Sequence, residues 1–120
     1  MRYTVTFAAN LMPMPRPRVN RRGGVGFPSS YRIHREALTL LLGEQIPKVT
    51  GACRVLITVA KPCEATSQRF GDADNLAKTV LDALPFPDQL VIELQVRKVQ
   101  APGYQVTITV LTEPESLPGR

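Results

Sequence analysis

Apolar and polar residues alternate along four stretches of the chain and recur at helical spacing along two others. The opening run Met1-Arg2-Tyr3-Thr4-Val5-Thr6-Phe7 alternates, which predicts a strand over residues 3–8. Residues 31–46 read as a helix whose inner face is drawn from Ile33, Ala37, Leu38, Leu40 and Leu41, with Ser30 as N-cap and Gly43 and Pro47 marking the end. Residues 52–60 alternate again, with Cys53, Val55, Ile57 and Val59 set against Arg54, Leu56 and Thr58. A second, shorter helix is predicted over residues 74–84. Leu76, Val80, Ala83 and Leu84 share one face, and Ala77 and Leu81 lie beside them. Asp74, Lys78 and Asp82 follow at i, i+4 and i+8 and so share a polar face. Pro85 and Pro87 stop this helix. Two more strands are expected at 90–100 and 104–112, joined at Ala101-Pro102-Gly103 as a hairpin, with Val106, Ile108 and Val110 on the apolar side of the last.

Between these elements the composition changes. Met12-Pro13-Met14-Pro15-Arg16-Pro17-Arg18 cannot be helical, because each proline disfavours helix at the residue before it. Gly23-Gly24-Val25-Gly26 follows, so residues 12–28 read as a long basic loop. Residues 61–71 read as a polar loop and 113–120 as a frayed tail. The expected architecture is α/β or α+β: one domain over residues 1–120, a mixed sheet with two helices mainly on one face, in the order β-α-β-α-β-β.

Length and composition narrow the class. A chain of 120 residues with 43% hydrophobic side chains suits one packed domain, not a disordered segment. No apolar run approaches a membrane span and the N-terminus lacks a secretory apolar block, so an intracellular (cytoplasmic) location is expected. Cys53 and Cys63, ten residues apart, and the lone His34 do not match zinc-ligand spacing. Cys53, in a strand-like run, reads as a small buried hydrophobe and Cys63 as a loop thiol.

The net charge of +5 suggests an anionic partner, and its distribution says more. Residues 1–35 hold seven arginines (2, 16, 18, 21, 22, 32 and 35) and no acid, whereas all four aspartates lie within 72–88. A protein that grips phosphate in one place and binds metal in another has this pattern. The acidic segment Gly71-Asp72-Ala73-Asp74-Asn75 stands at a loop-to-helix junction. An extended backbone at 72–74 would point Asp72 and Asp74 the same way, and a helix starting near Asn75 would add partial positive charge beside them. Magnesium takes oxygen ligands and keeps several waters, so one to three carboxylates and a substrate phosphate suffice. Lys78, one turn beyond Asp74, can reach the same region, and Asp88 can return as a third carboxylate. The competing reading is structural: Asp74 as a helix N-cap, Lys78 and Asp82 as solvated helix residues, and Asp88 as a turn former.

Residues 71–84, Gly-Asp-Ala-Asp-Asn-Leu-Ala-Lys-Thr-Val-Leu-Asp-Ala-Leu, resemble the signature of the RusA family. Pro15-Arg16-Pro17-Arg18 resembles that family's Arg-Pro-Arg element, Asp88-Gln89-Leu90-Val91-Ile92 its acidic turn, and Lys98 a basic position near the end of the strand that follows. The resemblance implies a homodimeric, Mg2+-dependent Holliday-junction endonuclease of recombination and repair, typical of phages and prophages. Mn2+ would be a substitute ion and four-way DNA the partner. It further implies Asp72, Asp74 and Asp88 as metal-binding carboxylates and Lys78 as the catalytic lysine. Arg16, Arg18, Arg21, Arg22, Arg69 and Lys98 are the expected phosphate contacts. The chain departs from the family pattern at Pro85-Phe86-Pro87, a shorter connection leading to one acid where the family tends to have two; Glu93 is the candidate replacement. Two other readings compete: a branched-DNA-binding module that does not cut, and a basic protein-interaction domain.

Overall fold

The computed structural model describes residues 1–15, 18–19, 25–26 and 29–112. Along the chain these form β1 (Arg2–Phe7), β2 (Arg18–Val19), β3 (Val25–Gly26), α1 (Ser29–Gln45), β4 (Cys53–Lys61), α2 (Ala73–Ala83), β5 (Val91–Gln100) and β6 (Gln105–Thr112), with one 3-10 turn at Asp88–Leu90. The segment expected to be loop at 12–28 contains the short β2–β3 ribbon, an antiparallel pair. The expected tail at 113–120 lies outside the described residues.

The long strands form one mixed sheet in the order β1-β6-β4-β5. β6 runs antiparallel to both neighbours, and β4 pairs in parallel with β5 through the α2 crossover. The α+β class and the element order are as expected, but the hairpin is not: β4 lies between β5 and β6. The reason is burial. Cys53, Val55, Ile57 and Val59 are all at most 1% exposed, so β4 takes the centre of the sheet, where both its edges are bonded. β5 is mostly exposed and takes the edge. Residues 101–104 step over the end of β4, and the Ala101 N–H donates to the Lys61 carbonyl at 3.0 Å.

The register aligns the inward residues in rows. Val5, Ile108, Ile57 and Val96 form one, and Phe7, Val106, Val59 and Lys98 form the next. Leu38 and Leu42 of α1 and Leu76, Val80 and Ala83 of α2 complete this core from one side. Each buried Leu, Ile or Val stabilises the fold by about 1.5–3 kcal/mol relative to exposure. The inner face of α1 differs from expectation: Tyr31, Leu38 and Leu42 are buried, whereas Ile33 and Leu40 are 67% and 70% exposed and Ala37 is also exposed. Ile33 and Leu40 each lie two residues from the buried stripe, roughly 200° around the helix, so they cannot share its face. Ser30 falls inside α1, which starts at Ser29, and is not the cap residue.

Neither helix covers the opposite sheet face. There Thr4 pairs with Thr109 (3.3 Å) and Thr6 with Thr107 (3.2 Å). The chain ends of the sheet meet: the Met1 ammonium donates to the Thr112 carbonyl (3.3 Å), and the Thr112 N–H donates to the Met1 carbonyl (2.9 Å). Cys53 is buried, as expected, and both cysteines are free thiols.

Candidate active site

Helix α2 begins directly after Asp72. That residue is the N-cap, with extended backbone (φ −77°, ψ 141°), and its carbonyl accepts from the Leu76 N–H at 3.0 Å. Asp74 lies in the first turn. The helix therefore starts earlier than expected: Ala73 and Asp74 are helical, not extended, and the cap is Asp72, not Asp74. Gly71 makes the early start possible, because its φ of +98° turns the chain sharply before the cap. The Asp72 side chain makes no capping bond. Both carboxylates are exposed, and no ion pair engages either among the described residues. The partial positive charge of the helix start favours negatively charged groups beside it, side-chain carboxylates and phosphate oxygens alike.

The loop behind them is held from two directions. From above, Pro13 packs on Gly71 so closely that a Cβ there would lie 3.0 Å from the proline Cγ. Pro13 is fixed by its neighbours: the Met14 N–H donates to the Asn75 carbonyl (2.9 Å), and the Thr79 hydroxyl donates to the Met12 carbonyl (2.7 Å). The Met12 N–H donates to His34 Nε2 at 3.2 Å. That bond needs neutral imidazole, and burial, aided by the charge of Lys61, holds the His34 pKa below its ordinary value.

From below, the Lys61 ammonium donates to the Phe70 carbonyl and the Lys98 ammonium to the Gly71 carbonyl, both at 2.8 Å. The buried Phe70 ring lies 5.4 Å from the first ammonium and 5.2 Å from the second. Lys61 is only 3% exposed. Burial lowers its pKa and the charge of Lys98 adds to this, against an opposing influence from Cys63. Sequence reasoning placed Lys61 and Phe70 in a polar loop and missed both. The signal was present: Lys61 continues the inward alternation Cys53, Val55, Ile57, Val59.

The other expected site residues divide. Lys78 is exposed on α2, one turn beyond Asp74. Arg69 lines a cavity of about 220 Å³ with Asn10, Lys61, Pro62, Cys63 and Tyr104. Arg18 lies in β2, and Arg16, Arg21 and Arg22 lie outside the described residues. Asp88 opens the 3-10 turn at the far end of α2. From there β5 runs back: Val91 pairs with Cys53 at the start of β4, and Lys98, near the strand's other end, reaches Gly71. At about 3.3 Å per residue, roughly 20 Å separates Asp88 from the Asp72 end. One chain therefore brings Asp72 and Asp74 to the same helix start but not Asp88. Among the described residues, no group of three or more His, Cys, Asp or Glu is placed to hold a metal ion. Glu93 lies near the start of β5, where it is exposed and pairs with Arg54 at 3.4 Å.

Among the described residues, no helix is long and apolar enough to cross a membrane. The family model described as endodeoxyribonuclease RusA matches residues 9–110. No curated protein matches the chain.

Proposed function

The chain belongs to the endodeoxyribonuclease RusA family of Holliday-junction resolvases, and from that premise we propose that it cuts four-way DNA by paired, Mg2+-dependent phosphodiester hydrolysis. The observation that carries this reading is the pair Asp72 and Asp74 at the start of α2, both exposed, with no side-chain capping bond from Asp72 and no ion pair to either among the described residues. Their donors are all carboxylate oxygens, which fit a hard divalent cation; Mn2+ would be accepted as well. Such an ion supplies Lewis acidity and neutralises charge at the scissile phosphate.

In this reading Asp72 and Asp74 hold the cation, and Lys78 offsets negative charge on the phosphate or leaving oxygen. Arg69, with Arg16, Arg18, Arg21 and Arg22, holds flanking phosphates and makes binding steeply salt-dependent, whereas the Lys98 ammonium is engaged by the Gly71 carbonyl. Met14 is bonded to Asn75, so the chain that continues to those N-terminal arginines departs from beside the acidic pair. Asp88 lies beyond the other end of α2, so in this reading it acts with the acidic pair of a second copy and not with that of its own chain. A two-fold dimer, which suits a junction of near two-fold symmetry, brings in Asp88 from a second copy.

The test is cleavage of a synthetic four-way junction with Mg2+ and with EDTA. Asp74→Asn is expected to lower cutting by on the order of a hundredfold or more while junction binding persists. Equal mixtures of Asp74→Asn and Asp88→Asn chains are expected to regain single-strand nicking, because a mixed dimer holds one intact site. Cutting that survives combined Asp72→Asn and Asp74→Asn substitution would refute the site. The separation of Asp88 also favours a second reading, a branched-DNA-binding module without cleavage. Tight junction binding with no cutting in either Mg2+ or Mn2+ selects it.

A further inference from the structure

We propose that Lys61 and Lys98 are positioning residues: a two-armed clamp that holds the Phe70 and Gly71 carbonyls and thereby sets where Asp72 and Asp74 present their oxygens to a cation. This rests on the nuclease reading above and adds residues with no contact to DNA or metal.

The geometry is specific. The two carbonyls are consecutive, they immediately precede Asp72, and each accepts one lysine ammonium at 2.8 Å. The lysines come from adjacent parallel strands, β4 and β5, so the anchor points belong to the sheet. Among the described residues, the loop's other hydrogen bonds are local: the Ser67 N–H and hydroxyl donate to the Glu64 carbonyl, and the Phe70 N–H donates to the Ser67 carbonyl. Burying a lysine at 3% exposure is costly, and no carboxylate pairs with it among the described residues. A charge-assisted bond to a carbonyl and the face of Phe70 are what offset that cost. A methionine would fill the same apolar space without the desolvation penalty. The ammonium therefore points to a need for a donor at this carbonyl. Pro13 closes the opposite side of Gly71, so the segment is gripped between ring and ammonium. Gly71 and Asp72 have little freedom left, and the acidic pair inherits that rigidity.

The clamp separates from a DNA-contact role by what each predicts for Lys98. Full-length wild type, Lys61→Met, Lys98→Met and Lys98→Arg would be compared in three measurements. These are Mn2+ binding without DNA, by the loss of the free-ion paramagnetic resonance signal; junction affinity in EDTA across a salt series; and kcat at saturating junction and Mg2+. Positioning predicts that both methionine variants bind Mn2+ several-fold more weakly and lose on the order of 10- to 100-fold in kcat. Junction affinity should stay within about twofold and its salt slope unchanged. Lys98→Arg keeps a donor and should recover most of both losses. If Lys61→Met fails to fold, the half-buried Lys98 carries the same test. The clamp is overturned by methionine variants that match wild type in Mn2+ binding and kcat. It is equally overturned if Lys98→Met flattens the salt slope while leaving Mn2+ binding intact. Wild-type protein that neither binds Mn2+ nor cuts overturns the underlying nuclease reading instead.

Discussion

The two ends of α2 carry exposed aspartates in similar local settings, yet the fold supports them differently. Asp72 follows Gly71 and caps the helix; Asp88 follows Pro87 and opens a 3-10 turn. Beneath Asp72, groups distant in sequence converge: Pro13, Met14, Lys61 and Lys98 all touch the segment 70–75. Around Asp88 the backbone bonds are local, with the Leu90 N–H donating to the Pro87 carbonyl and the Val91 N–H to the Asp88 carbonyl. A carboxylate in water is ordinary. A carboxylate in water on a loop secured by buried charge is the feature that separates a site from a turn, because preorganisation requires a rigid support.

The contrast can be broken by experiment. The largest effect is expected from Phe70→Ala. That ring is fully buried between two ammoniums, and its loss should cost about 3–5 kcal/mol in urea unfolding. Gly71→Ala comes next. It forces a side chain into φ +98° and against Pro13, so about 1–3 kcal/mol is expected, with reduced cutting because Asp72 is displaced. Asp88→Ala, on the exposed turn, should stay within about 0.5 kcal/mol. Equal stability losses at Gly71 and Asp88 would remove the distinction between the two ends.

The smallest effect is a pH dependence confined to one end. The His34 pKa is lowered in the fold from its ordinary 6.5, so the unfolded chain binds the extra proton more readily. The stability that neutral His34 contributes is complete above about pH 6.5 and declines as pH falls from there toward the lowered value. Protonation removes the acceptor for the Met12 N–H. Proton NMR titration should show His34 titrating together with resonances of Met12, Pro13 and Gly71, while those of Asp88 to Leu90 stay still. Joint movement of both ends would contradict the local anchoring of the turn.

Much of this was legible in the chain. Strong periodicity located the six main elements to within about two residues, and the apolar face of α2 came out correctly because Leu76, Ala77, Val80 and Ala83 are consistent with one phase. The apolar face of α1 did not, because that helix carries more apolar residues than it buries. Two phases fit its sequence, and only packing of Tyr31 against Thr79 (3.3 Å) and of Leu42 in the core selects between them. Strand neighbours were also beyond local pattern, since a short connection between β5 and β6 looks the same whether or not a third strand lies between. At the site, the acidic pair and Lys78 stood out by residue type. The separation of Asp88 did not, because sequence proximity to α2 hides the length of the helix it must cross. Lys61 was hidden by its chemistry: a lysine ending an inward alternation is ordinarily read as the start of solvent.

The paired bonds between Met1 and Thr112 have a practical consequence for connectivity. A short linker from Thr112 back to Met1 should close the backbone without disturbing β1 or β6. Fresh termini could then be opened in the exposed stretch around Lys48 and Gly51, between α1 and β4. Such a circular permutant would begin at the central strand and make the whole β4-α2-β5 unit, clamp included, its first-synthesised part.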